Sequence, residues 1–193
     1  MSPYEEQILQ FCKEHKELLK DNNFTLIYEI LGGIEALKMF SGVFTSMMLD
    51  NGINPLKYMK KIPTWYISNG TMTEVDIPPN ITQIDYNALA HNDSVMSLFI
   101  PDTVQSIANE AVMFCSRLTS IAIEHGSKLS LYGCPFTDSP VRQVYLPSTL
   151  QSVGDNFLYS DSPQVYIHCE KGSGVEAAIK SSNNKWHIIN DYH

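Results

Sequence analysis

The sequence predicts an α+β repeat fold, a solenoid of short parallel strands carrying an α-helical N-terminal cap. Two observations carry this prediction. Ile77, Ile100, Ile123 and Leu146 recur at steps of 23 residues, and three of the four are followed by proline (Pro78, Pro101, Pro147). Residues 1–61 lack that step and carry helix signals instead. The expected division is a helical region at 1–61 and a solenoid at 62–193, whose C-terminal cap covers about 168–193.

The N-terminal elements come first. Ser2-Pro3 opens a helix over Tyr4–Lys20, with Glu5 and Glu6 in its first turn, where the helix dipole favours carboxylates. Asp21-Asn22-Asn23 ends it. Phe24–Leu31 is a candidate second helix, and Gly32-Gly33 interrupts the chain. Ile34–Leu49 reads as a third helix too apolar to stand free in water. Two readings of this region stay open. It shields the open end of the solenoid, as terminal repeats require, or it is a partner-binding or dimerising unit with Met39, Met47 and Met48 lining an adaptable groove.

The repeats follow. Val75, Leu98, Ile121 and Val144 keep the step of 23, as do Met72, Val95, Leu118 and Val141. After each proline comes a second apolar block: Ile81 and Ile84, Val104 and Ile107, Leu150 and Val153. Ala88-Leu89, Ala111-Val112 and Phe157-Leu158 hold the next apolar slots. One such repeat cannot bury its own apolar face, whereas stacked repeats bury a continuous one. The period lies in the leucine-rich-repeat range. The pattern of Val104, Ile107, Ala111, Val112, Cys115, Leu118, Ile121 and Ile123 resembles the BspA-like leucine-rich repeat family, and the resemblance spans roughly residues 62–190. It implies a leucine-rich-repeat solenoid with a C-terminal cap, here Gly172-Ser173-Gly174, a helix-like Val175–Lys180 and Trp186-His187-Ile188-Ile189. Two departures are expected. His125–Phe136 falls out of register and should bulge. Val165-Tyr166-Ile167, read as the final strand, ends 21 residues after Leu146, which makes the last repeat short.

The histidines and cysteines are the candidates for chemistry. None of the six histidines sits in an HExxH, GxSxG or P-loop motif. Cys12, Cys115, Cys134 and Cys169 are far apart and form no CxxC pair, which fits a reducing compartment. Cys115 and Cys134 suit small buried slots. His168-Cys169-Glu170, with His187 and His193 downstream, invites a thiol or metal reading, yet neither spacing supports it. Lys171-Gly172-Ser173-Gly174 lacks the length and ending of a phosphate loop and reads as the turn before the capping helix. The expectation is a protein that is not an enzyme, with no catalytic residue, cofactor or metal.

Strand alternation points to a different kind of site. With Val75/Ile77, Leu98/Ile100, Ile121/Ile123, Val144/Leu146 and Val165/Ile167 facing the core, one outward column is Asp76, Phe99, Ala122, Tyr145 and Tyr166, flanked by Glu74, Ser97, Ser120, Gln143 and Gln164. Aromatics there serve either as cross-strand packing or as interface anchors. The candidate partner-binding residues are Glu74, Asp76, Phe99, Tyr145 and Tyr166.

Charge bears on the partner. The formal net charge of −8 splits into −1 for residues 1–61 and −7 for 62–193. An acidic solenoid repels phosphate backbones, so nucleic acid is disfavoured and a basic protein is favoured. No apolar run reaches the roughly 20 residues that span a bilayer. The acidic start, Met1-Ser2-Pro3-Tyr4-Glu5-Glu6, lacks the basic and apolar regions of a secretory signal. The expected function is a cytoplasmic, non-catalytic protein-protein interaction module, such as an inhibitor or adaptor encoded by a bacterium or phage. The alternative is a structural protein that forms a homo-oligomer through its helical N-terminal region.

Overall fold

The computed structural model describes Leu56, residues 60–62, Thr64, and residues 73–160 and 162–193. The three helices expected over residues 4–49 lie outside the described residues.

The described chain winds as a coil of very short strands, all paired in parallel. In chain order they are β1 Lys61–Ile62, β2 Glu74–Val75, β3 Gln83–Ile84, β4 Ser97–Ile100, β5 Ser106–Ile107, β6 Val112–Met113, β7 Ser120–Ile123 and β8 Ser130–Leu131. Then come β9 Phe136–Ser139, β10 Gln143–Tyr145, β11 Ser152–Val153, β12 Leu158–Ser160, β13 Tyr166–His168, one helix, α1, at Gly174–Ser181, and β14 His187–Ile189. Each full turn contributes to three walls. The largest is a six-stranded sheet in the order β14-β13-β10-β7-β4-β2. A second wall carries β1-β3-β5 and β8-β11, and a third carries β6-β9-β12. The second apolar block of each repeat is thus itself a short strand.

The period follows from packing. Leu98 pairs with Ile121 and Ile100 with Ile123, and the 97–100 strand alternates exposed and buried side chains. Ile100, Ile121, Ile123, Val144 and Leu146 have no solvent exposure, and together with Ile81, Ile84, Leu118 and Phe136 they form one continuous core. Fully burying each such side chain is worth about 1.5–3 kcal/mol. A tight turn follows each sheet strand at the same phase. Ile81 N donates to Pro78 O, Val104 N to Pro101 O, Ser127 N to Glu124 O, Leu150 N to Pro147 O, and Ser173 N to Glu170 O.

That last turn corrects the expected register at the C-terminal end. Val144 pairs with Ile167, not with Val165, and Tyr145 pairs with His168. The step of 23 therefore runs on unbroken, and the fifth member of the Ile77–Ile100–Ile123–Leu146 column is Cys169, which is fully buried. The repeat that ends on β13 is not short, and the step that drops to 21 is the next one, from Ile167 to Ile188 in β14. Val165-Tyr166-Ile167 imitates the apolar-x-apolar signature two residues early, and the backbone ladder, not the local pattern, sets register.

The irregular third repeat is present and is compensated. Val112 pairs with Phe136, an interval of 24, and Phe136 pairs with Leu158, an interval of 22, while Ile121 and Val144 in the main sheet keep 23. The second wall is interrupted between β5 and β8 at this point. Two corners per turn use left-handed backbone, at Asn87, Glu110 and Gly133, and at His91, Phe114 and Asp138.

The far end is closed by α1, as expected. Ser173 is its N-cap, with Oγ accepting from Glu176 N at 3.1 Å, and Glu176 Oε2 accepts from Gly172 N at 2.8 Å. This is a capping box shifted by one residue on its return bond. Val175 and Ile179 bury against the last turn, and Trp186 meets Phe157 edge-on at 5.1 Å.

Candidate functional site: the outer face of the six-stranded sheet

The outer face is built by the residues between the core columns. The register places Phe99 beside Ala122, Ala122 beside Tyr145, and Tyr145 beside His168. Tyr166 was expected in this column. It lies instead in the flanking one, paired with Gln143 on one side and His187 on the other, with its ring stacked on His187 at 5.2 Å. The residue the aromatic column takes at that step is His168. Glu74 flanks the column in line with Ser97, as expected.

The two halves of the face differ. At the β2–β4 end, Phe99 is 50% exposed, Glu74 and Asp76 are exposed, and a groove of about 730 Å³ runs past them with Pro79, Pro101 and Glu124 on its walls. Ala122 leaves a notch between Phe99 and Tyr145. At the β10–β13 end the face is covered. Tyr145 stacks on His168 at 4.2 Å with the planes only 17° apart. His168 Nδ1 lies 2.7 Å from Asp191 Oδ1, and Nε2 lies 2.6 Å from Gln143 Oε1. Tyr192 sets its ring 4.1 Å from that of His125 and meets Tyr145 edge-on at 5.5 Å. Its hydroxyl donates to Ile123 O at 2.9 Å. Burial, seconded by the Glu124 carboxylate, pushes the Tyr192 phenol up.

The proline column explains why Ile123 O can accept this bond. Glu124, unlike Pro78, Pro101 and Pro147, has an N–H, and it donates to Ile100 O at 2.9 Å. Pro147 stands in the corresponding place on the next turn and has no N–H to offer Ile123 O. The tyrosine hydroxyl takes the position of the missing ladder donor.

The histidine and cysteine side chains of residues 168 and 169 are held apart. His168 ends β13 with its ring on Asp191 and Gln143, while Cys169, the next residue, lies in the core, so imidazole and thiol do not meet. Burial pushes the Cys169 thiol up, and burial pushes that of Cys115 up to about 11. Cys115 fills a core slot as expected, with Sγ donating to Leu89 O at 3.2 Å, whereas Cys134 is only half-buried. The Gly172 amide, followed by Lys180, holds the Glu176 carboxyl down to about 2, and Lys171-Gly172-Ser173 is the cap of α1. Asn92, a glycosylation sequon by sequence, is buried.

Residues 40–164 match the BspA type leucine rich repeat region, in six copies. The chain belongs to the BspA type leucine-rich-repeat family. The match begins at residue 40, ahead of the boundary drawn at 61/62 from periodicity. No curated protein and no solved structure matches the chain. BspA-type repeats form solenoids that in general serve as scaffolds for protein interaction, not as catalysts. No helix among the described residues is long and apolar enough to cross a membrane. His168, His125, Asp191 and Tyr192 were not recognised as parts of the face. The available signal was the step of 23 from Tyr145 to His168. The same step leads from His168 to Asp191, although the ladder pairs His168 with Ile189, and Tyr192 belongs to no apolar column.

Proposed function

We propose that this chain is a non-catalytic protein-protein interaction module that binds a basic protein segment on the outer face of its six-stranded sheet. It acts as an adaptor or stoichiometric inhibitor in the cytoplasm of a bacterium or under the direction of a phage. The observation that carries this reading is Phe99, a half-exposed ring set between carboxylates in an open groove. An aromatic with two rotatable bonds offers contact area at small entropic cost, and truncating a central interface aromatic costs about 2 kcal/mol or more. Glu74, Asp76 and Glu124 steer a cationic partner towards the ring and set its salt dependence. Tyr145 and Tyr166 extend the contact along two neighbouring columns.

The test begins with affinity capture and mass spectrometry to identify the partner. The isolated partner is then titrated with the wild type, with Phe99→Ala/Tyr145→Ala/Tyr166→Ala, and with Glu74→Gln/Asp76→Asn. The aromatic variant should lose at least thirtyfold in affinity while melting as a folded protein. The acidic variant should chiefly slow association and flatten its salt dependence. Unchanged affinity in both would move the interface elsewhere. Self-association through residues 1–61 is distinguished by light scattering on the purified chain, since it needs no partner.

A further inference from the structure

We infer that Asn190–His193 is an internal ligand of the outer face, and that the site it fills accepts an aromatic residue preceded by a carboxylate. The inference rests on the reading of this face as a binding surface, and it identifies what the Tyr145–His168 half recognises. Three separate elements converge on the segment. A ladder carbonyl, Ile123 O, lacks a donor from Pro147 and accepts the Tyr192 hydroxyl across 69 residues of sequence. Two rings, His125 and Tyr145, clasp the Tyr192 ring. His168, held in plane by Tyr145 and by Gln143, meets the Asp191 carboxylate at 2.7 Å. This pocket forms from β7, β10 and β13 and the turn after β7. The segment contributes only the occupant.

The occupant is held at its edges. Asp191 keeps more than half of its side chain exposed, and His193 is exposed. Four residues with four side-chain hydrogen bonds, two of them from Asn190 to Cys169 O and Glu176 Oε1, and two ring contacts bind weakly as a free peptide. They occupy the site because tethering supplies an effective concentration of about millimolar order. A partner presenting the same carboxylate-aromatic pair on a larger surface displaces the segment, and binding there is gated. The groove beside Phe99 needs no displacement. The face therefore offers one open subsite that takes a cation and one closed subsite that takes an acidic-aromatic pair.

The test uses histidine footprinting with diethyl pyrocarbonate on the full chain. His168 is 7% exposed, and His187 on the neighbouring strand is exposed. In the wild type, His168 should label at least tenfold more slowly than His187. In Asp191→Ala/Tyr192→Ala, with the sheet signal in circular dichroism retained, the two should label at rates within about threefold. A blocked peptide of residues 190–193 at millimolar concentration should restore protection to that variant and leave the wild type unchanged. Should the double variant unfold, Tyr192→Phe, which removes only the hydroxyl, should raise His168 labelling two- to fivefold. Rapid labelling of His168 in the wild type, unaltered protection in the folded variants, or no protection by the peptide would each overturn the inference. None of these readouts involves the partner. A failure here with Phe99-dependent partner binding intact removes the internal ligand alone. Success here without such binding removes the open subsite.

Discussion

Phe99 and Ile100 are neighbours on one strand and should respond to truncation very unequally. Ile100 has no exposure and contacts the core on the next turns, where it is paired with Ile123. Ile100→Ala removes three carbons, worth about 2.4 kcal/mol at roughly 0.8 kcal/mol per methylene. A residual cavity of about 50 Å³ adds about 1.2 kcal/mol at roughly 24 cal/mol per Å³. The expected loss is about 3–4 kcal/mol. Phe99 is 50% exposed, so Phe99→Ala forfeits about half of a full burial term, about 1 kcal/mol. With a urea slope of about 2 kcal/mol/M, the midpoint should fall by about 1.5–2 M for Ile100→Ala and by about 0.5 M for Phe99→Ala. Urea titration followed by circular dichroism measures both, and equal slopes are required for the comparison because stacked repeats can lose cooperativity. A Phe99→Ala shift as large as that of Ile100→Ala would refute the facing assigned to this strand. With it would go the argument that Phe99 is available to a partner.

Further outcomes follow from other parts of the molecule. Gly133→Ala should destabilise by about 1–3 kcal/mol, because Gly133 sits at φ +70° and a Cβ there would overlap the Asn109 amide; a thermal melt unchanged by the substitution would contradict it. Glu176 is held down to about 2, so its stabilisation is complete above the unfolded carboxylate value of about 4.3 and disappears as pH falls through about 2. Melts between pH 5 and 2 should therefore slope less for Glu176→Gln than for the wild type. Cys115, pushed up to about 11, favours the fold as a neutral thiol; that contribution is intact below the unfolded value of about 8.5 and is lost as pH rises through about 11. At pH 8, iodoacetamide should leave Cys115 unmodified in the native chain while reaching it in urea.

Much of the solenoid is legible in the sequence because each core column is apolar and evenly spaced. Leu98 and Ile121 can be paired without coordinates, and so can Phe99 and Ala122. The reading fails where two local patterns compete. Val165-Tyr166-Ile167 offers the apolar-x-apolar signature, yet its burial is decided by hydrogen bonds that Tyr166 and Ile167 make with the preceding strand. Cys169 concealed the true column, since a thiol next to histidine suggests reactivity more readily than it suggests a small core residue. The misplacement of Tyr166, and with it the omission of His168, has that single cause. Asp191 and Tyr192 are illegible for another reason. Their contacts join the segment after β14 to β13, the neighbouring strand, and to β7, three strands away in the sheet, and the apolar columns do not encode such a return. The two-residue strands of the second and third walls appear in the sequence only as apolar slots, because so short a run cannot display alternation.

The interval of 24 followed by one of 22 in the third repeat has a consequence for how such proteins can vary. The added residue lies in the turn after β7 and is recovered before β10, so the main sheet keeps its step of 23 from β4 through β7 and β10 to β13. A length change on the back of the coil is absorbed within one circuit and does not reach the front. Descendants of a common repeat can lengthen, shorten or recompose their rear turns while the side chains offered to a partner stay in line. Recognition and drift are thereby assigned to different sides of the same coil.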